Sequence, residues 1–182
     1  MLGMRKGLIL MALSSPLPSR EAYSTGSLVL ITAALVILAA LGFEYLGGYI
    51  PCPLCLQERY AYYTGIPVTF LALVALSAHR PNLSALLFIA VALMFLVNTG
   101  LGTYHAGAEW KFWPGPQTCG TIQAIGSPGG GLLDKLDNVK VIKCDEAQWR
   151  MFGLSFAGWN AVISLFLSLA AIKAASASRR PL

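Results

Sequence analysis

The chain has 182 residues, of which 56% are hydrophobic and only 12% are charged. Soluble domains carry roughly twice that charged fraction, so the composition excludes a water-soluble globule and a disordered chain. The formal net charge of +5 comes from basic residues scattered over short terminal and loop segments. They form no basic face of the kind that binds nucleic acid. We therefore expect a single-domain protein that resides in the lipid bilayer and does not bind nucleic acid.

Four apolar stretches are each long enough to cross a bilayer core of about 30 Å as a helix. In chain order they cover residues 27–45, 56–78, 83–104 and 154–174. None shows two-residue alternation, and backbone hydrogen bonds must close inside lipid, which favours α-helices. The predicted fold is an all-α four-helix transmembrane bundle. Small residues would let the helices approach closely, among them Gly100, Gly102, Gly153, Gly158 and Ala161.

The basic residues predict the orientation of the bundle. The segments on one side of the membrane contain only one acidic residue, Glu21. They contain seven basic residues: Arg5, Lys6, Arg20, Arg80, Lys173, Arg179 and Arg180. The loop between the third and fourth spans instead balances five basic and five acidic residues. We expect cytoplasmic segments at 1–26 and 175–182, a membrane domain at 27–174, and an extracytoplasmic loop at 105–153. No Ala-x-Ala site follows the apolar run 7–13, so we expect no cleaved signal peptide.

All four cysteines then fall on the extracytoplasmic side, where disulfides persist. Cys52 and Cys55 lie in the short loop that leads into the second span. A Cys-x-x-Cys pair closes too short a ring to stabilise a fold much, and helix N–H groups stabilise a thiolate there, so this pair indicates redox chemistry. Cys119 and Cys144 lie in the long loop. A bridge between them would close about 26 residues and contribute about 3–4 kcal/mol, which alone is consistent with a structural disulfide.

Two rival explanations of the cysteines remain open. A tetrahedral zinc site fits one Cys-x-x-Cys, but the second pair lacks the spacing of a zinc knuckle, so we predict no metal site. The other rival is a non-enzymatic tetraspan membrane protein that carries two inert structural disulfides.

Arg59 lies four residues after Cys55, on the same helix face and about one turn deeper. A cation in the first turns of a helix opposes the helix dipole and requires an anion nearby. We expect this anion to be Glu58, a lipid phosphate, the Cys55 thiolate or an electron acceptor that becomes anionic. Snorkelling of Arg59 to a lipid headgroup is the simpler alternative.

Electrons that reach a dithiol in the membrane need an acceptor, and the sequence contains no haem, flavin or metal-cluster signature. A lipid-soluble quinone requires only an apolar groove and one polar anchor. The aromatic residues crowd the same end of the bundle, as in an interfacial belt or a ring-binding mouth. His105, at the end of the third span, is either a hydrogen-bonded structural residue or a proton carrier. Apolar spacing in residues 132–139 predicts a short interfacial helix within the long loop.

This arrangement resembles the bacterial disulfide bond formation protein B (DsbB) family. The resemblance covers the four-span core and rests on five segments: 51–59 (PCPLCLQER), 104–105 (YH), 116–119 (PQTC), 144–149 (CDEAQW) and 153–155 (GLS). It implies a quinone-dependent protein-disulfide oxidoreductase of the bacterial inner membrane, with both termini cytoplasmic. The quinone would be ubiquinone or menaquinone, and the partner a periplasmic DsbA-like dithiol protein.

The resemblance also implies a role for each site residue. Reduced DsbA would attack the Cys119–Cys144 disulfide and form a mixed disulfide with Cys119, and Cys144 would pass the electrons to Cys52. Cys55 would then act on the quinone, with Arg59 as its electrostatic anchor and His105 as a quinone neighbour. A quinone-linked oxidoreductase with another thiol donor, or one of the vitamin K epoxide reductase type, is the remaining alternative.

Overall fold

The computed structural model describes residues 20–115, 120–124 and 139–179, with side chains described for 20–115 and 144–179. Four helices in it are long and apolar enough to cross a membrane. They are α1 (Arg20–Tyr45), α2 (Pro53–Ser77), α3 (Pro81–Glu109) and α4 (Phe156–Ser178). The predicted four-helix membrane bundle is therefore confirmed, and the protein is a multi-pass membrane protein.

The helices extend beyond the apolar stretches that predicted them. Helix α1 begins at Arg20 rather than at residue 27, and α3 continues past Tyr104 to Glu109. Hydropathy registers only the lipid-facing part of a helix, whereas backbone hydrogen bonding continues into the polar flanks. Because α3 is longer than expected, His105 and Glu109 lie on its last turns instead of in a loop.

Prolines and polar caps fix where the helices begin. Pro53 and Pro81 occupy the first turns of α2 and α3, where a missing N–H donor costs nothing. Cys52 is the N-cap of α2, and its Sγ accepts a hydrogen bond from the backbone N–H of Cys55 at 3.3 Å. Ser155 caps α4 in the same way by accepting from the N–H of Gly158 at 3.2 Å. The cap of α2 thus fixes the position of one cysteine of the Cys-x-x-Cys pair.

The bundle core is built from apolar side chains of all four helices. Its largest cluster includes Val29 of α1, Tyr62 of α2, Phe95 of α3 and Leu167 of α4. Large apolar side chains also cover the outer faces, as expected of helices that contact lipid, including Leu35, Leu38, Leu71, Leu93, Val97 and Leu169. The core therefore holds the helices together while their outer surfaces remain apolar.

Helices α3 and α4 approach each other closely at a glycine. A Cβ added to Gly102 would lie 3.1 Å from the backbone N of Ala161 and 3.2 Å from the carbonyl oxygen of Ala157. Gly102 and Ala161 therefore act as the small residues that the sequence predicted at a helix contact. Gly100 instead faces open space.

Two short antiparallel ribbons join the helices. Strand β1 (Gly120–Ala124) pairs with β2 (Val139–Lys143), in a register that places Gly120 opposite Lys143. Strand β3 (Arg150–Met151) pairs with β4 (Leu154–Ser155), immediately before α4. The sequence analysis did not predict these strands. Residues 132–138 of the expected interfacial helix lie outside the described residues, and Val139, its last residue, begins β2.

Candidate functional site

Cys52 and Cys55 form a closely spaced thiol pair at the start of α2. Both cysteines are free, and their Sγ atoms lie 3.2 Å apart. A disulfide bond is about 2.05 Å long, so the two sulfurs need to approach by only about 1 Å to form one. Cys52 is 3% exposed, and Cys55 is partly buried. The pair is thus placed for reversible oxidation and shielded from bulk water.

The hydrogen bond between the two thiols lowers the pKa of Cys52 from its usual 9.0 to about 4. The contacts with His105 and with the backbone N–H of Cys55 act in the same direction, whereas burial opposes them. A thiolate rather than a thiol is the reactive form of cysteine. In the reduced pair the negative charge therefore resides on Cys52.

His105 of α3 connects this thiol pair to two carboxylates. Its Nε2 lies 3.5 Å from Cys52 Sγ, and its Nδ1 lies 2.8 Å from Oε1 of Glu58. One helical turn further on, Oε1 of Glu109 lies 3.9 Å from the same Nε2. His105 is 2% exposed. The predicted site histidine is therefore in contact with the dithiol, in a position to exchange a proton with it.

Arg59 pairs with Glu44, at the end of α1. Glu44 was not among the anions expected for it; Glu58, the nearest expected carboxylate in sequence, contacts His105 and Asn160 instead. The side chain of Arg59 is only 13% exposed. It therefore lies in the wall of the site rather than reaching out toward the surface. The partner differs because the packing of α1 on α2, which local spacing does not reveal, brings Glu44 across to the guanidinium.

A cavity of about 240 Å³ adjoins the thiol pair. Apolar side chains of α1 and α4, such as Ile37 and Ile163, line one part of it, and Cys52, Cys55, Arg59 and His105 line another. Its volume lies below the roughly 300–1,000 Å³ that accommodates drug-sized ligands. It therefore suits one flat ring rather than a long tail. The cavity thus combines apolar walls and four carboxylates with a guanidinium and an imidazole that could hold the carbonyl oxygen of a cofactor ring.

The aromatic rings of Phe43, Tyr49 and Phe156 line this cavity, and Trp149 packs against two of them. The rings of Trp149 and Phe156 stack at a centroid distance of 4.7 Å, and Phe43 packs against Phe156 at 5.0 Å. Tyr49 contacts both phenylalanine rings edge-on. The sequence analysis placed aromatic residues at this end of the bundle but did not identify which of them line a cavity. Together the rings form an apolar wall beside the thiol pair.

Cys144 lies next to the thiol pair. It is disulfide-bonded and 2% exposed, and it belongs to the same buried cluster as Cys52 and Leu54. The chain after it is fixed to the loop before α2, since Nε2 of Gln148 donates to the carbonyl oxygen of Ile50 at 2.7 Å. Cys119 lies outside the described residues. Of the predicted site residues, the structure brings five together: Cys52, Cys55, Arg59, His105 and Cys144.

Three polar residues of the site were not singled out as site residues by the sequence analysis: Glu58, Glu109 and Asn160. Glu58 accepts from Nδ2 of Asn160 at 2.8 Å through its second oxygen, and Ser155 donates to Glu109. Their signal was present, because polar residues within membrane spans mark functional sites more often than not. His105 and Glu109 also share a helix face at i, i+4 spacing.

Comparison with known proteins agrees with this geometry. The family model "Disulfide bond formation protein DsbB" matches residues 23–174. A disulfide bond formation protein B from Albidiferax ferrireducens is 28% identical over 160 residues, covering 76% of this chain and 84% of that protein. One from Hahella chejuensis is 26% identical over 183 residues, covering 88% and 98%.

An uncharacterized protein of Rickettsia prowazekii, RP370, is 26% identical over 153 residues, covering 81% of this chain and 85% of that protein. No solved structure matches the chain significantly. The family match extends over most of the chain and includes all four helices and the site. The protein therefore belongs to the DsbB family of membrane proteins, which supports disulfide-bond formation.

Proposed function

We propose that this protein is a thiol:quinone oxidoreductase of the bacterial inner membrane. It reoxidises a periplasmic DsbA-like dithiol protein and passes the two electrons to ubiquinone or menaquinone. The observation that carries this proposal is the burial of Cys144 in one cluster with Cys52. Contact between a loop disulfide and a thiol pair at the helix start is the arrangement that thiol–disulfide exchange requires.

The first exchange takes place at the loop disulfide. A thiolate of the donor protein attacks Cys119, the bond between Cys119 and Cys144 breaks, and Cys144 leaves as a thiolate. The second donor thiol then attacks the donor sulfur of the mixed disulfide, which forms the donor's own disulfide, and Cys119 leaves as a thiolate. The register of β1 and β2 supports this pairing, because Gly120 and Lys143 are directly opposed and adjoin the two cysteines in sequence.

The second exchange transfers the electron pair to the helix start. When Cys52 and Cys55 are joined in a disulfide, the Cys144 thiolate attacks Cys52, and Cys55 leaves as a thiolate. Cys119 then attacks Cys144, which re-forms the loop disulfide and leaves Cys52 and Cys55 reduced. Burial of Cys52 and Cys144 together supports direct transfer between them without a diffusing carrier.

The final step reoxidises the pair at the cavity. A bound quinone would supply a two-electron, two-proton acceptor. On the protein side, His105 is placed to hold a proton at Nε2 beside Cys52, while Glu58 fixes the ring through Nδ1 at 2.8 Å. Arg59 contributes a positive charge to the cavity wall, and the rings of Phe43 and Phe156 exclude water.

We also propose the orientation that the basic residues predict. The ends of α1 and α3 and the starts of α2 and α4 lie together with Cys52 and Cys144, so the site and the ribbons share one end of the bundle. The opposite end carries Arg80 and Lys173. The positive-inside rule then places the opposite end and both termini in the cytoplasm and the cysteines in the periplasm.

Turnover by the purified protein tests the proposal. Reduced DsbA-like protein and a short-chain ubiquinone or menaquinone are mixed with catalytic amounts of the protein, and the loss of quinone absorbance is followed. We expect turnover by the native chain and none by Cys55→Ser, with Ser77→Ala at the other end of α2 as the matched control. A tetraspan protein with two inert disulfides would reduce no quinone, and a Cys55→Ser variant with native turnover would refute the proposed route.

A further inference from the structure

We propose that Cys52, Cys55 and His105 form a Zn²⁺-binding site that exists only while the cysteine pair is reduced. The inference goes beyond the proposed function, because zinc here is an inhibitory ligand and takes no part in electron transfer. Two thiolate sulfurs and an imidazole nitrogen are the donors that zinc prefers in tetrahedral sites.

The distances between the donor atoms suit a single ion. Cys52 Sγ lies 3.2 Å from Cys55 Sγ and 3.5 Å from His105 Nε2, and all three donors lie within 4.8 Å of one another. Around a tetrahedral zinc ion with ordinary bond lengths, two sulfurs lie about 3.8 Å apart and a sulfur and a nitrogen about 3.6 Å apart. To bind the ion, the two sulfurs would separate by roughly half an ångström, and Cys55 Sγ and His105 Nε2 start within 4.8 Å of each other.

The surroundings of His105 match those of a zinc-bound histidine. Its Nδ1 is held by Oε1 of Glu58 at 2.8 Å, which leaves Nε2 directed at Cys52. Such a carboxylate contact is the usual support of a metal-binding imidazole. Oε1 of Glu109 lies 3.9 Å from Nε2, while Ser155 bonds the other oxygen of that carboxylate. Glu109 is thus a carboxylate close enough to His105 to supply a fourth ligand.

The charge of the cavity also favours a divalent cation. Its lining contains four carboxylates, those of Glu44, Glu58, Glu109 and Glu146, together with the guanidinium of Arg59 and the imidazole of His105. Arg59 is already paired with Glu44. Since opposite charges attract strongly in a partly buried site, the unbalanced carboxylates stabilise a cation there.

Binding is controlled by the oxidation state of the cysteines. Zn²⁺ binding to the reduced pair forms two Zn–S bonds and one Zn–N bond and releases two protons, one from the Cys55 thiol and the one that His105 took from Cys52, with no change in oxidation state. In the disulfide form the sulfurs are bonded to each other, and both thiolate ligands are lost. A bound ion would hold the pair reduced and prevent its reoxidation. The sequence analysis predicted no metal site because it looked for the remaining ligands in the cysteine pair of the long loop. The third donor proposed here is instead His105 of α3, which cysteine spacing does not reveal.

Metal binding by the full-length chain tests the proposal without quinone or thiol donor, so its result is independent of the proposed function. Cys119→Ser and Cys144→Ser are introduced to remove the loop thiols, and the chain is titrated with Co²⁺, and then with Zn²⁺ in competition with a chelating dye. We expect one equivalent bound after reduction, a tetrahedral cobalt spectrum with thiolate charge transfer, and no binding after oxidation to the Cys52–Cys55 disulfide. Binding that is equal in both oxidation states would overturn the proposal.

The histidine is tested by a matched pair of variants. His105→Gln should weaken Zn²⁺ binding at least about 10-fold, whereas His79→Asn, which removes the histidine that follows α2, should leave it unchanged. An unchanged affinity in His105→Gln would show that the site is not the one proposed. If His105→Gln does not fold, the cadmium NMR spectrum of the chain that retains His105 tests which ligands bind the metal. A shift typical of two sulfurs with nitrogen or oxygen ligands supports the site, and a four-sulfur shift from two chains refutes it.

Discussion

His105 Nδ1 lies 2.8 Å from Oε1 of Glu58, and both side chains are buried between α2 and α3. Removing a charged group from water is costly unless a partner compensates it, so each side chain depends on the other. The contact joins the first turns of α2 to the last turns of α3, next to Cys52. It therefore links the packing of the bundle to the orientation of the imidazole at the thiol pair.

Glu58→Gln should lower quinone reduction by about 100-fold, because a glutamine no longer stabilises the proton that His105 takes from Cys52. The glutamine side chain is nearly isosteric, so helix content by circular dichroism should not change. Initial rates of quinone reduction at saturating thiol donor provide the measurement. Glu21→Gln, an exposed carboxylate paired with Lys173, is the control and should retain the native rate. A native rate in Glu58→Gln would exclude the proton-holding role.

Arg59 and Glu44 should be energetically coupled. The pair lies in the cavity wall with side-chain exposures of 13% and 24%, so it is less screened than a surface salt bridge. A double-mutant cycle of Arg59→Met and Glu44→Gln should give a coupling free energy of about 1 kcal/mol. The unfolding free energies of the four proteins are measured by SDS titration in mixed micelles. If the two single effects add to the double effect, the ion pair does not contribute to stability.

Gly102→Ala should destabilise the bundle by about 1–3 kcal/mol, because its Cβ would press on the backbone of Ala161 and Ala157 at 3.1–3.2 Å. Backbone atoms cannot rotate away as a side chain can, so α3 and α4 must separate. Gly100→Ala is the matched control: it lies in the same helix, and no atom lies within 4 Å of its added Cβ. Unfolding free energies from SDS titration should separate the two variants. Equal stability would contradict the close helix contact.

Phe43→Ala should raise the KM for quinone by about 5- to 10-fold with little change in kcat. Phe43 packs against Tyr49, Trp149 and Phe156, and the loss of aromatic contacts of this kind costs about 1–1.5 kcal/mol. Steady-state rates at varied quinone concentration give both constants. Phe70→Ala, at a half-exposed position of α2 outside the cavity lining, should leave the KM unchanged. A decrease confined to kcat would place the aromatic wall outside the binding site.

The sequence predicted the four helices because hydropathy and length are sufficient to identify spans. It also placed the Cys-x-x-Cys pair at a helix start, and the structure confirms this with Cys52 as N-cap. It did not identify Glu44 as the partner of Arg59, because that contact depends on how α1 packs on α2. The sequence analysis also missed Glu109, because the apolar stretch ends near Tyr104. The helix continues to Glu109, which lies one turn after His105 and close to its imidazole.

The ribbon of β1 and β2 lacked a usable signal as well. Its strands are five residues each and are separated by a long segment, so no hairpin turn motif connects them closely. The local sequence was sufficient to predict that the cysteine pair lies at a helix start. The residues that contact the pair depend on tertiary packing, and residue spacing within one segment does not predict them.

Direct transfer between Cys144 and Cys52 is the central claim, and disulfide trapping tests it most directly. In the double variant Cys55→Ser and Cys119→Ser, only Cys52 and Cys144 remain, and neither has its usual partner. Mild oxidation should join them within one chain, and mass spectrometry of the proteolytic peptides would identify the Cys52–Cys144 bond. A folded double variant whose two thiols both remain free under these conditions would contradict the transfer of electrons from the loop to the helix start.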